Sequence, residues 1–363
     1  MKIVDLINSN SRIEFLDVFR GFALFYMIFF HILDYLSVKS IYRSFPYYIE
    51  WIQQPTVIPP PLLFMFISGI SVFIFTMRRL KKNSPFDVLK KLSLRYGKYL
   101  LVSFFFTYVM WGEGYFFGFE EALQGIAVSA IFLGAMIVLF DKKNWEKSFI
   151  PLILFMSLIR HFFSYSQFNF YGVYEIFYNF LVSGWFSLFN IAPLMLGGAL
   201  FAKHLANDDN EKMFTFSSLL LFLTLMLHSF FGGGSSIFQI SYGMMSFNFT
   251  LFSISVAGVV LSIIKYITSN YDFKVLYFLK EYGFASYENY IFHHIFIVLP
   301  IIHFGFLNSV NNYLSLVFAF LLSIVSYIIS KVYLKFFKKY KSNFIDPIFF
   351  LLLIWSFILY FII

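Results

Sequence analysis

The chain contains no cysteine among its 363 residues. This absence excludes disulfide bonds, thiolate metal ligands and a cysteine nucleophile. Charged residues are also scarce, at 13%, whereas about a quarter of a soluble domain is charged. With 60% hydrophobic residues, too little polar surface remains to cover a water-soluble particle. The composition therefore indicates an integral membrane protein.

Three further features are missing from the sequence. The formal charge of +8 lies in short clusters between apolar runs and not on a basic face with interleaved aromatics, so we expect no nucleic-acid partner. Residues 1–18 are polar and mixed, and no small-residue cleavage site follows the first apolar run, so we expect no cleavable signal peptide. No internal repeat, low-complexity linker or second soluble domain is visible. We therefore predict a single transmembrane domain over 1–363.

Apolar runs dominate the rest of the chain, and each is close to the length that a helix needs to cross about 30 Å of hydrocarbon. They are solid blocks without the alternation of a membrane β-barrel, which predicts an all-α bundle of transmembrane helices. The run at 149–163 is short. We predict about eleven spans, which lie at Phe19–Leu36, Val57–Met77, Tyr99–Phe117, Ala122–Phe140, Phe149–Phe163, Trp185–Phe201, Phe214–Phe231, Phe247–Ile267, Tyr290–Phe306, Tyr313–Phe336 and Pro347–Ile363.

The loops between these runs alternate in charge. Basic residues gather in 78–98, 142–147, 203–212, 265–280 and 335–341. The intervening loops have few: 112–121 carries glutamates and no lysine, while 232–246 and 307–312 carry no charge. Because basic loops stay in the cytoplasm, this alternation predicts a cytoplasmic N-terminus, a C-terminus outside and an odd number of spans. We expect a multi-pass protein of the cell membrane.

The first span is the richest in ionisable residues, which are functional-site candidates inside a membrane. Arg20 and His31 are eleven residues apart, about 16 Å along a helix and on nearly the same face. Asp34 follows His31 by three residues, where its carboxylate can accept a proton from one ring nitrogen and raise the basicity of the other. Two structural alternatives stay open: Arg20 as an interfacial anchor paired with Asp17, and His31 as a packed histidine.

Residues 12–34 resemble the first helix of transmembrane acyltransferases. The stretch is similar to the heparan-α-glucosaminide N-acetyltransferase family and its prokaryotic relatives, and more distantly to acyltransferase family three. An arginine, ten residues and a histidine, here Arg20 and His31, match the signature of that broader group. Three later segments resemble family elements in the same order: Pro61–Ser71, Glu121–Ala127 and Gly283–His293.

The resemblance implies transfer of an acetyl or other short acyl group from cytoplasmic acetyl-CoA to a sugar hydroxyl or amine at the outer face. His31 would be the catalytic histidine, acting either as a base or as a transient acyl carrier, and Asp34 would orient it. Arg20, Arg78 and Arg79 would hold the phosphates of the donor, because guanidinium forks match phosphate geometry. For Arg78 and Arg79 the alternative is plain stop-transfer charge.

Several polar residues complete the candidate site. Gln124 and Asn289 are neutral hydrogen-bond donors that either polarise the thioester carbonyl or bond across helices. We assign Gln124 to the donor, and Asn289 to the saccharide together with Glu113, Glu121 and His293. For the two glutamates the alternative is a solvated loop.

The remaining histidines give weaker signals. His293 and His294 are adjacent, so we expect one of the two to face elsewhere. His161, next to Arg160, and His228 are expected at span ends, where such residues commonly lie at the membrane interface. No arrangement of histidine and carboxylate has metal-ligand spacing, so we expect no metal.

A second function class uses the same residues. A proton-coupled secondary transporter or flippase would place Arg20, His31 and Asp34 along a proton path. Such proteins often contain inverted repeats, and their absence from this sequence favours the acyltransferase. The expected partners are an acyl donor, a saccharide acceptor and the lipid bilayer, and a homodimer is compatible with this architecture.

Overall fold

A computed structural model of the chain describes residues 13–36, 60–111, 121–140, 145–165, 173–184, 186–206, 209–231, 246–304, 306 and 309–337. These residues form helices and short connections, and no strand occurs among them. The helices are α1 Glu14–Leu36, α2 Pro60–Leu80, α3 Pro85–Trp111, α4 Ala122–Leu139, α5 Trp145–Tyr165, α6 Val173–Tyr178, α7 Leu188–Ala206, α8 Asn210–Phe231, α9 Phe247–Asn270, α10 Lys274–Phe284, α11 Ser286–His293, α12 Leu299–His303 and α13 Asn312–Phe337. Two π-helical segments, Asn179–Ser183 and His294–Val298, continue α6 and join α11 to α12.

The predicted all-α fold is confirmed. Helices occupy the described part of ten of the eleven predicted spans, and the eleventh, Pro347–Ile363, lies outside the described residues. Within the described part of the chain, seven helical segments are long and apolar enough to cross a membrane: Glu14–Leu33, Pro61–Leu80, Ala122–Leu139, Val173–Leu205, Asn210–Phe231, Phe247–Asn270 and Tyr313–Lys335. The chain is thus a polytopic membrane protein. The orientation of its termini stays a prediction.

Two spans differ in detail from the sequence pattern. Helix α1 begins at Glu14, ahead of the apolar run, because the acidic Glu14 and Asp17 in its first turn complement the helix dipole. The predicted span Tyr290–Phe306 is interrupted by the π segment His294–Val298. Pro300 explains the interruption, since its ring clashes with the carbonyl four residues earlier in a regular helix, and the wider π turn relieves that clash.

Contacts divide the chain into two compact units. The terminal unit comprises Glu14–Pro60 and Asp272–Ile363, and so contains α1 and α10–α13. The central unit comprises Met1–Ile13 and Pro61–Tyr271, and so contains α2–α9. The prediction of one transmembrane domain over the whole chain stays a prediction.

The terminal unit is built on a close crossing of α1 and α10. A Cβ atom added to Gly21 would lie 1.8 Å from the carbonyl oxygen of Leu279, and one added to Gly283 would lie 1.9 Å from that of Asp17. Small residues allow such backbone contact between membrane helices. At the cytoplasmic end predicted for α1, Lys280 Nζ of α10 lies 2.5 Å from Glu14 Oε1. The crossing fixes α1 against the carboxyl-terminal helices.

Helix α13 packs on the same pair of helices through aromatic and ionic contacts. The buried ring of Tyr282 lies 5.7 Å from those of Phe25 and Tyr327. Glu281 accepts hydrogen bonds from Tyr327 and from Lys331, and the latter lowers the pKa of its carboxyl. These contacts hold α1, α10 and α13 as one packed group.

Candidate active site

Three histidine rings meet in the terminal unit. His31 of α1 is partly exposed, whereas His293, which ends α11, and His294, which begins the π segment, are 0% and 2% exposed. His31 Nδ1 lies 3.3 Å from His293 Nε2. The His294 ring lies 5.9 Å from the His31 ring and 4.0 Å from the His293 ring. Two buried imidazoles therefore contact one partly exposed imidazole.

A backbone carbonyl one turn earlier assigns the proton of His294. His294 Nδ1 lies 3.0 Å from the carbonyl oxygen of Tyr290, to which it can only donate, so the lone pair of this ring is on Nε2. His293 Nδ1 makes no hydrogen bond among the described residues. With its proton on Nδ1, His293 accepts a hydrogen bond at Nε2 from His31 Nδ1, and the lone pair of His31 is then on Nε2.

The expectation that His293 and His294 face apart is wrong, since both rings contact His31. Neighbouring side chains diverge by about 100° on a regular α-helix. The π segment that starts at His294 has more residues per turn, which reduces this divergence and turns both rings toward α1. Insertions of this kind are common at functional sites.

The other polar residues of α1 are placed as follows. Arg20 Nη1 lies 2.7 Å from Asp17 Oδ1, which realises the anchor pairing that the sequence left open. A role for Arg20 in holding the donor stays a prediction. Asp34 belongs to α1, but its side chain lies outside the described residues, so its orienting role also stays a prediction. Among the described residues, His293 is a hydrogen-bond partner of His31.

Asn289 links three helices of the terminal unit. Its side-chain nitrogen donates to the carbonyl of Tyr282 in α10 at 3.0 Å, and its own carbonyl accepts from Ser326 Oγ in α13 at 3.2 Å. The side chain is completely buried. These contacts stabilise the junction of α10 and α11, one turn before His293, so Asn289 positions the histidine pair. Contact of Asn289 or His293 with a saccharide stays a prediction.

In the central unit, Gln124 is buried at the start of α4. Its amide nitrogen donates to Thr107 Oγ1 of α3 at 3.2 Å, and its amide oxygen accepts from the Glu121 backbone N–H at 3.2 Å. This is the cross-helix role that the sequence left open. The Glu121 side chain is also buried, which raises the pKa of its carboxyl to about 8. Donor and saccharide contacts of Gln124 and Glu121 stay predictions.

The remaining candidates are Arg78, Arg79 and Glu113. Both arginines lie in the last turn of α2, at the end of a candidate span, as expected of stop-transfer residues. The Arg79 guanidinium lies 5.5 Å from the centre of the Phe75 ring. Glu113 lies outside the described residues. Donor binding by the two arginines and saccharide binding by Glu113 stay predictions.

His161, next to Arg160, was expected at a span end near the membrane interface, and this position stays a prediction. Within the protein, Arg160 and His161 are buried, at 7% and 6% exposure. Arg160 Nε donates to Asn190 Oδ1 of α7 at 2.7 Å, and Asn190 Nδ2 donates to the Gly184 carbonyl at 3.0 Å. No carboxylate pairs with Arg160 among the described residues. The signal for this contact was an asparagine inside the apolar run 185–201.

The fold and these side chains define a class: a polytopic helical membrane protein with an accessible imidazole, backed by buried histidines, in its first span. The catalytic-domain model of the heparan-alpha-glucosaminide N-acetyltransferase family matches residues 12–241. Because this match covers more than half of the chain, the protein belongs to that family. The match includes Arg20 and His31 and ends before His293. A search of curated proteins finds no match.

Family membership gives the coarse function. The chain is a membrane acetyltransferase of a family that acts on glycans. The expected resemblance is confirmed, and so are the acetyltransferase class and the location in a membrane, whereas the cell membrane in particular stays a prediction.

Proposed function

We propose that this protein transfers an acetyl group from cytoplasmic acetyl-CoA to a hydroxyl or amine of a sugar at the outer face of the cell membrane. One observation carries the proposal: the accessible His31, within the family match, shares a hydrogen bond between Nδ1 and the buried His293 Nε2. A buried neutral acceptor next to a partly exposed imidazole fixes its tautomer and puts the lone pair that can take a proton on Nε2.

In the proposed reaction, His31 Nε2 removes the proton of the acceptor O–H or N–H while that atom attacks the thioester carbonyl. The carbon–sulfur bond then breaks, and the thiolate of coenzyme A takes the proton from His31. The products are an acetyl ester or amide and free coenzyme A. His293 Nε2 stabilises the transient imidazolium by accepting the hydrogen bond of His31 Nδ1–H.

A transient acetyl-histidine remains an alternative to direct transfer, because His31 Nε2 is also the nucleophile that such a step requires. In either route Arg20, Arg78, Arg79 and Gln124 are the donor-side residues of the proposal. Glu113, Glu121, Asn289 and His293 are its acceptor-side residues. A homodimer is compatible with this proposal, which does not depend on it.

The test follows the release of free thiol by purified protein in nanodiscs, with acetyl-CoA and glycosides that offer a hydroxyl or an amine. The chain contributes no thiol background because it has no cysteine. We expect His31→Gln to lower the rate by about 10²- to 10⁴-fold, as the loss of a general base does. His204→Gln is the matched control, since His204 is exposed in α7.

Wild-type thiol release in His31→Gln would contradict the catalytic role of His31. If wild-type protein in liposomes instead moves protons with a solute and releases no thiol, the transporter is the correct function. Asn289→Leu offers a further check: as a positioning change it should lower kcat and leave KM for the saccharide unchanged, whereas direct contact with the saccharide would raise that KM.

A further inference from the structure

We infer that His31, His293 and His294 form a binding site for a divalent transition metal ion such as Zn²⁺, and that the bound ion switches off acetyl transfer. The first half of this inference stands on the geometry of the three rings alone. The second half rests on the proposed function, in which the lone pair of His31 Nε2 takes the proton of the acceptor.

The distances suit a metal of this class. One nitrogen from each of the three side chains lies within 4.8 Å of the other two. Two nitrogen ligands about 2.0–2.1 Å from a tetrahedral zinc are about 3.4 Å apart, and His31 Nδ1 and His293 Nε2 are 3.3 Å apart. The rings of His293 and His294 are already packed at 4.0 Å between centroids, so side-chain rotation is sufficient to bring in the third nitrogen.

The hydrogen bond behind His294 is that of a metal ligand. A ligating histidine almost always donates its other N–H to a backbone carbonyl or carboxylate, which fixes the tautomer. His294 donates Nδ1–H to the Tyr290 carbonyl at 3.0 Å, whereas His293 Nδ1 makes no hydrogen bond among the described residues. The lone pair of the His294 ring is therefore on Nε2, in a site where the two buried side chains are at most 2% exposed.

Access and coordination number also agree with an exchangeable ion. His31 is partly exposed, so an ion can reach the buried pair past its ring. Three protein ligands leave the fourth position of a tetrahedral ion to water. Because the chain has no cysteine, no thiolate competes with the three imidazoles for the ion.

Metal binding would change the proton on His31. In the metal-free protein the proton on Nδ1 lies between His31 and His293, and Nε2 of His31 has the lone pair. An ion bound between these rings takes the Nδ1 lone pair; the Nδ1 proton is released to solvent and Nε2 takes up a proton from solvent, so the neutral ring carries its one proton on Nε2. The ring then has no lone pair for the acceptor, and thiol release stops.

The test uses protein carrying an affinity tag without histidine, stripped with chelator and kept in nanodiscs. Zn²⁺ binding is measured by calorimetry without acetyl-CoA, and Co²⁺ is added as a spectroscopic probe of tetrahedral nitrogen coordination. We expect one ion per chain, and a fall in affinity of more than about tenfold in His294→Gln and in His31→Gln. The exposed His204→Gln should bind like the wild type.

The switch is tested separately by thiol release over a range of Zn²⁺ concentrations. Each variant is normalised to its own rate without zinc, and His294→Gln should need more than about tenfold more zinc for half inhibition. Unchanged zinc affinity in both His294→Gln and His31→Gln would overturn the site, and stimulation of the wild type by zinc would overturn the switch. Absence of thiol release from zinc-free wild type would refute the proposed function and leave the binding result standing.

Discussion

The crossing of α1 and α10 gives a prediction whose size follows from the coordinates. In Gly21→Ala the new Cβ would lie 1.8 Å from the Leu279 carbonyl oxygen, whereas ordinary contact begins at 3.4 Å. The Cβ is fixed by the backbone of α1 and the oxygen belongs to the backbone of α10, so no side-chain rotation relieves the overlap. The helices must therefore separate by about 1.6 Å. Alanine favours a helix over glycine by about 1 kcal/mol, and overpacking of this kind costs about 3 kcal/mol. We expect a net loss of about 2 kcal/mol.

Thermal unfolding in nanodiscs, followed by tryptophan fluorescence, checks this value. For a chain of 363 residues, a loss of about 2 kcal/mol corresponds to a fall in Tm of about 3 °C. Gly283→Ala should behave alike, because its Cβ would lie 1.9 Å from the Asp17 carbonyl oxygen. One separation of the helices relieves both overlaps, so the double variant should lose less than the sum of the two.

Gly97→Ala in α3 is the matched control. No atom lies within 4 Å of the Cβ that it would add, so only the helix preference of alanine acts and Tm should rise slightly. The reasoning is refuted if Gly21→Ala leaves Tm unchanged or raises it as Gly97→Ala does. Separation of α1 from α10 should also loosen the hydrogen bond between His31 and His293, so thiol release should fall together with Tm.

Two predictions concern the central unit. Burial raises the pKa of Glu121 from 4.5 to about 8, so stability should fall as the pH rises between these values, where the unfolded chain releases the proton that the folded chain keeps. Tm measured from pH 5 to 9 should therefore drop in the wild type and stay nearly level in Glu121→Gln. Equal slopes of Tm against pH in the two proteins would contradict the burial of a protonated Glu121. Asn190→Leu removes the acceptor of Arg160 Nε and the donor to the Gly184 carbonyl, and should cost about 1.5–3 kcal/mol in unfolding free energy. Asn190→Asp loses only the donor and keeps the acceptor of Arg160, so it should cost less, which chemical denaturation measures; equal losses would contradict a stabilising role of the Arg160 contact.

The positions of the spans were predictable because a bilayer requires long apolar helices, and this requirement is local in sequence. The position of His31 on the same helix as Arg20 was predictable for a similar reason, since their spacing is read within one apolar run. The histidine pair was not, because its orientation depends on a π turn that Pro300 imposes and on packing against α1. His31 and His293 are 262 residues apart, and no local pattern reports a contact over that separation.

Polar contacts between neighbouring helices were only half predictable. The sequence marked Gln124 as a buried hydrogen-bond donor but could not name Thr107, which lies 17 residues earlier in another helix. The contact of Arg160 was not predicted for a related reason. A cation near the end of an apolar run usually reaches the interface, and only the three-dimensional structure shows that Asn190, 30 residues later, accepts its hydrogen bond.

The separation of 262 residues between His31 and His293 has a consequence for biosynthesis. At about 5–20 residues per second, a ribosome needs roughly 13–52 s to add the residues between the two histidines. During that interval α1 is already made, while α10 and α11, its partners in the terminal unit, have not left the ribosome. The ion pair of Arg20 with Asp17 is contained within α1 and needs no other helix, so it neutralises the arginine before α10 and α11 are synthesised. The cluster of His31, His293 and His294 is therefore assembled only after the central unit has been synthesised.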